Sequence, residues 1–298
     1  MFKVVTALCL STLVLAAPAA AGEGVPKAFG GEVADLVTLA IREYNELTEF
    51  QLPELDEELM EELLAGKVAR TRWKQPVPSV EPVPEGQEVD EDDVKTRQRV
   101  VAMYLIKRPR DHVWVAALDP NNVPSDKVRE VRLSRDGSGD SRWYQLMDLP
   151  WPVKNRHWVI DVKKREHVAA ATDGRAWEQT WHLVEDGEPI AYEATKAGRS
   201  KEISYDDAKG AKYLDANTGA WAMFELTPDL TLLTYQLTVV LGGLLPEGLT
   251  ARFAMGELES LCFKIEEHAY QIPQIYVDGY ETVYGGDGKP IVPPLRVP

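Results

Sequence analysis

One segment restricts the fold more than any other. From Pro246 to about Tyr270, apolar residues recur at helical spacing: Leu249, Phe253, Leu258, Leu261, Cys262, Ile265 and Ala269. A stripe this broad must be buried against another element. Most of what precedes it reads as sheet. Strands are predicted at Arg97 to Lys107, Val128 to Ser134, Ser141 to Met147, His157 to Lys163, Ala176 to Val184, Ile190 to Lys196, Gly219 to Leu226 and Leu230 to Val240. Asp136-Gly137-Ser138-Gly139-Asp140, Glu185-Asp186-Gly187 and Thr227-Pro228-Asp229 separate them as tight turns. The strands follow one another without the βαβ alternation of a parallel sheet. The expected class is therefore α+β: a curved antiparallel sheet whose apolar face is covered by the final helix.

Two helices are predicted ahead of the sheet. Val33, Leu36, Val37, Ala40, Ile41, Tyr44 and Leu47 mark one over 32–50. Leu55, Leu59 and Leu63 mark another over 53–64, stopped by Gly66. A short strand is expected over 67–73, and a short helix from Arg110 to Leu118, with Pro109 at its start. The stretch 204–213 reads ambiguously. Between the first strand and the second, 75–93 carries four prolines and then Glu88, Asp90, Glu91, Asp92 and Asp93. Proline prevents regular pairing and the charge run repels itself, so a solvated insertion is expected.

The N-terminus has a different character. Lys3, an apolar run from Val4 to Ala17 and the small residues Ala19-Ala20-Ala21 form a secretory leader, with cleavage expected between Ala21 and Gly22. The expected organisation is a leader at 1–21, a helical segment at 22–66, the main domain at 67–270 and a Pro-, Gly- and Tyr-rich tail at 271–298 that lies over the domain or is loose. Without the leader, Cys262 is the remaining cysteine. The exported chain is then stabilised without an internal disulfide, and Cys262 reads as a buried thiol. The net charge of −15 argues against nucleic-acid binding.

No catalytic or metal constellation emerges. The five histidines, His112, His157, His167, His182 and His268, form no close ligand pair. Gly137-Ser138-Gly139 sits in a polar turn without the context of a nucleophile, and Gly242-Gly243 lacks a phosphate-loop lysine. The eight tryptophans are more informative. Period two places Trp177, Trp181 and Leu183 on one strand face, Arg156, Trp158 and Ile160 on another, and Leu233, Tyr235 and Leu237 on a third. These faces suit either ordinary core or the wall of an apolar cavity with a few polar handles. Arg156 stands out, because a strand arginine among apolar neighbours is costly to bury unless paired.

Two segments resemble the START family, the steroidogenic-acute-regulatory-related lipid-transfer domains. One is Leu149-Pro150-Trp151-Pro152-Val153-Lys154-Asn155-Arg156-His157-Trp158-Val159, similar to the family's proline–aromatic–Arg-Asp-aromatic-Val entrance to a central strand. The other runs from Gly219-Ala220-Trp221 through Thr231-Leu232-Leu233-Thr234-Tyr235 to Gly242-Gly243-Leu244-Leu245-Pro246. The similarity spans about residues 50–270. His157 departs from it where the family often has Asp, and 75–93 reads as an insertion.

The resemblance implies a helix-grip fold, a bent antiparallel sheet wrapped around the C-terminal helix with a lipid-sized tunnel between. It implies binding or carriage of a sterol, phospholipid, fatty acyl or similar apolar ligand by a monomer in transient contact with membranes, without cofactor or metal. Arg156 matches a buried family arginine that either orients a ligand head or pairs internally. The residues expected at the ligand are Arg156, Trp158, Trp177, Trp181, Tyr235, Leu244, Leu245 and Phe253. Related folds include cyclases and aromatases. That rival reading nominates His182, Asp148 and Tyr235 for acid–base work, although period two turns His182 away from the tryptophan face.

Overall fold

A computed structural model describes residues 29–76, 96–121, 127–149, 153–241 and 247–295, the segments 74–76, 96–97 and 247–254 by their backbone alone. The leader at 1–21, most of the 75–93 insertion, and Leu244 and Leu245 lie outside the described residues, as do the side chains of Leu249 and Phe253.

Two helices open the described chain, α1 (Gly31–Asn45) and α2 (Glu57–Leu64). Asp56 caps α2 by accepting the Leu59 amide at 2.9 Å. Then come β1 (Ala69–Pro76), β2 (Thr96–Ile106), α3 (Arg110–Leu118), β3 (Val128–Arg135), β4 (Ser141–Met147) and β5 (Arg156–Lys164). They are followed by α4 (Glu166–Ala171), β6 (Ala176–Leu183), α5 (Gly187–Lys196), α6 (Tyr205–Gly210), β7 (Lys212–Tyr213), β8 (Ala216–Thr227), β9 (Leu230–Val240) and α7 (Glu247–Ile275). The strands form one sheet in the order β1-β2-β9-β8-β6-β5-β4-β3, antiparallel throughout, with β7 added parallel to β5.

The final helix covers the sheet as its stripe requires. Leu258, Cys262, Ile265, Ala269 and Ile272 are buried against the concave face together with Trp158, Trp177, Trp181, Trp221 and Leu233. Each buried aliphatic side chain there contributes about 1.5–3 kcal/mol. The Cys262 thiol is among them, and burial pushes its pKa up to about 12, leaving it an inert apolar group. Polar ties fix the helix at both edges: Tyr104 Oη donates to Glu266 Oε2 at 2.6 Å, and His268 meets Asp119 at 2.8 Å.

The convex face is covered as well, which the strand pattern did not announce. At one end α1 and α2 bury Val37, Ile41, Tyr44, Leu52 and Leu63 against Val101, Met103, Leu105, Ala222 and Phe224. At the other, α5 and α6 cover Tyr144, Leu146 and Val159. Strands buried on both faces lose their clean alternation, and β2 is apolar and buried from Val100 to Ile106.

One local expectation is corrected and one open stretch is resolved. The stretch 190–196, expected as a strand, belongs to α5. Gly187, Ala191, Ala194 and Thr195 are its buried residues, a helical spacing against β5 that outweighs the strand preference of Ile190, Tyr192 and Thr195. The ambiguous 204–213 divides into α6, opened by a reciprocal Ser204–Asp207 capping box, and β7. The tail packs down. Trp114 Nε1 donates to the Tyr284 carbonyl at 2.8 Å, Tyr276 Oη to the Ile291 carbonyl at 2.7 Å, and Val283 and Ile291 are buried.

A carboxylate is buried beneath the convex cover. Glu178 accepts from Tyr44 Oη at 2.6 Å and Thr48 Oγ1 at 2.7 Å, both through Oε1, while Oε2 has no hydrogen-bond partner. Burial raises its pKa despite those bonds. Between the ordinary and the raised pKa the folded state therefore binds more protons than the unfolded state, so this group's contribution to stability improves as pH falls through that window. Glu178→Gln keeps the acceptor and removes the charge. Thermal melts of the variant are expected to match or exceed wild type at neutral pH, and the difference is expected to shrink on acidification; a large loss at neutral pH would contradict this account.

Candidate functional site: an aromatic-walled cavity under the C-terminal helix

Helix α7 covers the concave face without filling it. A cavity of about 400 Å³ remains between the sheet, the C-terminal end of α3, α7 and the tail segment around Val283. Period two along the strands builds its wall. Consecutive pairing places Lys164, Gln179, Trp221 and Tyr235 side by side across β5, β6, β8 and β9, and places Val162, Trp181, Gly219 and Leu237 in the next row.

Every long strand from β4 to β9 contributes an aromatic ring: Trp143, Trp158, Trp181, Trp221 and Tyr235. Three of the indole N–H groups are engaged at the margins. Trp158 Nε1 donates to Gln145 Oε1 at 2.7 Å, Trp181 Nε1 to Asn217 Oδ1 at 2.9 Å, and Trp143 Nε1 to Ser141 Oγ at 2.9 Å. These three indoles thus line the cavity with their donors satisfied. Trp181 and Tyr235 stack with centroids 5.6 Å apart, and Tyr235 lies 4.3 Å from Trp221. Gly219 makes room for this arrangement. A Cβ there would stand 2.3 Å from the Trp181 ring and 2.1 Å from the Gln236 carbonyl oxygen. Helix α7 closes the cavity with Leu258 and Leu261.

Some wall residues are polar. Glu130 accepts from Gln145 Nε2 at 2.6 Å, completing a chain from Trp158 through Gln145, and burial raises its carboxyl pKa. Asp119 is fully buried on its side chain and accepts from His268, from Tyr280 Oη at 2.5 Å and from the Asn121 amide. Burial alone would raise its pKa, but those bonds hold it below the usual carboxylate range. Lys164 donates to Gln179 Oε1. Among the described residues no group of three His, Cys, Asp or Glu side chains is arranged to hold a metal ion.

The expected residues divide. Trp158, Trp181 and Tyr235 line the cavity, while Trp177 and Arg156 do not. Trp177 faces the same side of the sheet but is packed away, beneath the Arg110 guanidinium at 3.6 Å, edge-on to Trp114 and against Gly285 and Gly286. Arg156 is buried beside the wall with its guanidinium turned to the backbone. It donates to the carbonyl oxygens of Leu241 at 2.6 Å, Lys154 at 2.5 Å and Asn155 at 3.4 Å. It ties the end of β9 to the approach to β5, and burial lowers its pKa.

The acid–base candidates also separate. Tyr235 is in the wall, and burial pushes its hydroxyl pKa up. Asp148 pairs with Arg129 at the surface. His182 lies on the opposite face of the sheet, near Thr218 and Phe50. Sequence reasoning missed Glu130, Gln145, Lys164 and Gln179, whose common feature, an inward position on paired strands, exists only once register is known.

No family model matches the chain, and neither does any curated protein. Solved structures are similar to it. Human STARD10 is 12% identical, with 80% of this chain and 81% of that chain covered at a TM-score of 0.48. A STAR-related lipid transfer protein from Xanthomonas axonopodis is 19% identical, with 75% and 100% covered at 0.45. The Zhui aromatase/cyclase from Streptomyces sp. R1128 is 15% identical, with 60% and 96% covered at 0.36.

The positions of Arg156 and its partners give a direct test. Arg156→Leu strands the carbonyls it now satisfies, so stability is expected to fall by about 1–3 kcal/mol in chemical denaturation. The affinity of the cavity for an apolar probe is expected to stay unchanged, and a selective loss of affinity without a loss of stability would place Arg156 at the ligand after all. The strand order and the C-terminal helix held in the concave face make this chain a helix-grip fold.

Proposed function

We propose that this protein binds an apolar, lipid-like small molecule in the cavity under α7 and carries it. The observation that supports this reading is the wall itself: about 400 Å³ bounded by aromatic rings, three of whose indole N–H groups are already bonded to Gln145, Asn217 and Ser141. A volume of this size is in the range of small-molecule sites. Each methylene moved there from water contributes about 0.8 kcal/mol, so an acyl or ring system binds without any chemical step. The similar structure from Xanthomonas axonopodis is named a lipid transfer protein, which fits an apolar ligand. A cyclase-like activity retains Tyr235 as its candidate acid, and turnover of a cyclisable ketide would establish it.

Organic extraction of the natively purified protein followed by mass spectrometry is expected to yield a stoichiometric apolar compound. Leu261→Trp, on the cavity side of α7, is expected to weaken binding of an apolar fluorescent probe by about tenfold or more, since overfilling a packed space costs about 1–3 kcal/mol. Unchanged binding would exclude the cavity as the site.

The leader-like residues 1–21 support a place of action outside the cytoplasm, where transient contact with a membrane would load or unload the ligand. The intact mass of the protein from its native source is expected to correspond to a chain beginning at Gly22, and a mass that includes Met1 to Ala21 would overturn export with cleavage.

A further inference from the structure

We propose that the polar end of the ligand is a carboxylate, held at one end of the cavity by the Lys164 ammonium beside Gln179. The inference rests on the cavity reading above and adds a chemical class to it. Lys164 ends β5 and stands opposite Gln179 of β6 in register, both in the cavity wall. Its ammonium donates to Gln179 Oε1 and lies 5.3 Å from the centre of the Trp114 ring. Both partners are neutral, while an ammonium has three donors.

Three other wall cations already face carboxylates: Arg132 and Arg135 reach Glu281, and Lys127 reaches Glu257. Among the described residues Lys164 makes no such ion pair. The neighbouring wall is apolar and aromatic, formed by Val162, Trp181, Trp221 and Tyr235. A cation in such surroundings is stabilised chiefly by an anion brought to it.

The environment of the amine agrees. Burial pushes its pKa down to about 7, with the Asp140 carboxylate opposing that shift and Arg135 adding to it. Asp140 is engaged by the backbone, its Oδ1 accepting from the Lys164 amide at 2.7 Å. A ligand carboxylate at Nζ would restore the charged form.

The other stretch of the wall sets the direction. Glu130, joined to Gln145 and Trp158, presents a second carboxyl to an incoming anion and disfavours it there. Between Lys164 and Trp158 lie six residue steps of β5, about 20 Å of extended strand. An acyl chain anchored at Lys164 would run along that strand past Trp181 and Ile160.

The test compares dodecanoate with dodecan-1-ol by isothermal titration of the mature chain and two variants. Wild type is expected to bind the acid at least about tenfold more tightly than the alcohol, the usual strength of a hydrogen bond to a charged group. Lys164→Met is expected to bring the two affinities within about twofold of each other. Gln179→Glu keeps the lysine and gives it a carboxylate within the protein. It is expected to abolish the preference as well, and it carries the test if Lys164→Met does not fold. Equal affinities in wild type, or a preference that survives both variants, overturn the carboxylate anchor and leave the cavity reading standing. Binding of neither compound by folded wild type overturns both.

Discussion

The structure depends on an incomplete closure. A long helix must bury its apolar stripe, and a strongly curved sheet offers a concave face, but the two surfaces cannot meet along their whole length. Where they meet, Leu258, Cys262, Ile265 and Ala269 form ordinary core with the sheet. Where they do not, aromatic rings stand between them. Rings are rigid, and Trp181 and Tyr235 are braced by stacking and by the Asn217 bond, so the wall resists collapse. A wall of flexible aliphatic side chains would relax into the space. The cavity is thus a consequence of side-chain stiffness as much as of backbone shape.

Both faces of the sheet being covered explains where the buried polar groups sit. On the convex side Glu178 is held by Tyr44 and Thr48 from the N-terminal helix and the loop after it. At the end of the concave wall Arg156 satisfies carbonyls that the sheet ladder leaves unpaired. These groups fix how the covering layers attach. They are structural polar contacts in a molecule whose proposed site is mainly apolar, which is why charge alone was a poor guide to the site.

Legibility in the sequence followed from how local each signal was. The stripe on α7 and the alternation around Trp158, Trp181 and Tyr235 depend on neighbours two to four positions away, and all were readable. Trp177 carried the same signal, yet Arg110, Trp114 and the tail glycines take its faces, and no local pattern reveals that. The helix over 187–196 was hidden because its buried alanines are weak apolar markers while Ile190, Tyr192 and Thr195 favour strand. Lys164 falls just past the strand predicted to end at Lys163, and only the pairing of β5 with β6 brings it into the wall. Arg156 was rightly singled out as unusual, but the partners that account for it are backbone oxygens, which sequence does not display.

The strand order has a consequence for how the chain comes to be folded. β2 ends at Ile106, and its inner neighbour β9 begins at Leu230, so the β2–β9 pairing joins segments far apart in the chain. Pairing at that distance requires closing a long loop before any contact rewards it, which slows folding. The β3–β6 region can pair locally, but the N-terminal pair β1–β2 has no interior position until β8 and β9 arrive. Helix α7 comes later still. A chain emerging N-terminus first therefore leaves this sheet incomplete until β8, β9 and α7 are free, and the cavity is among the last features of the fold to take shape.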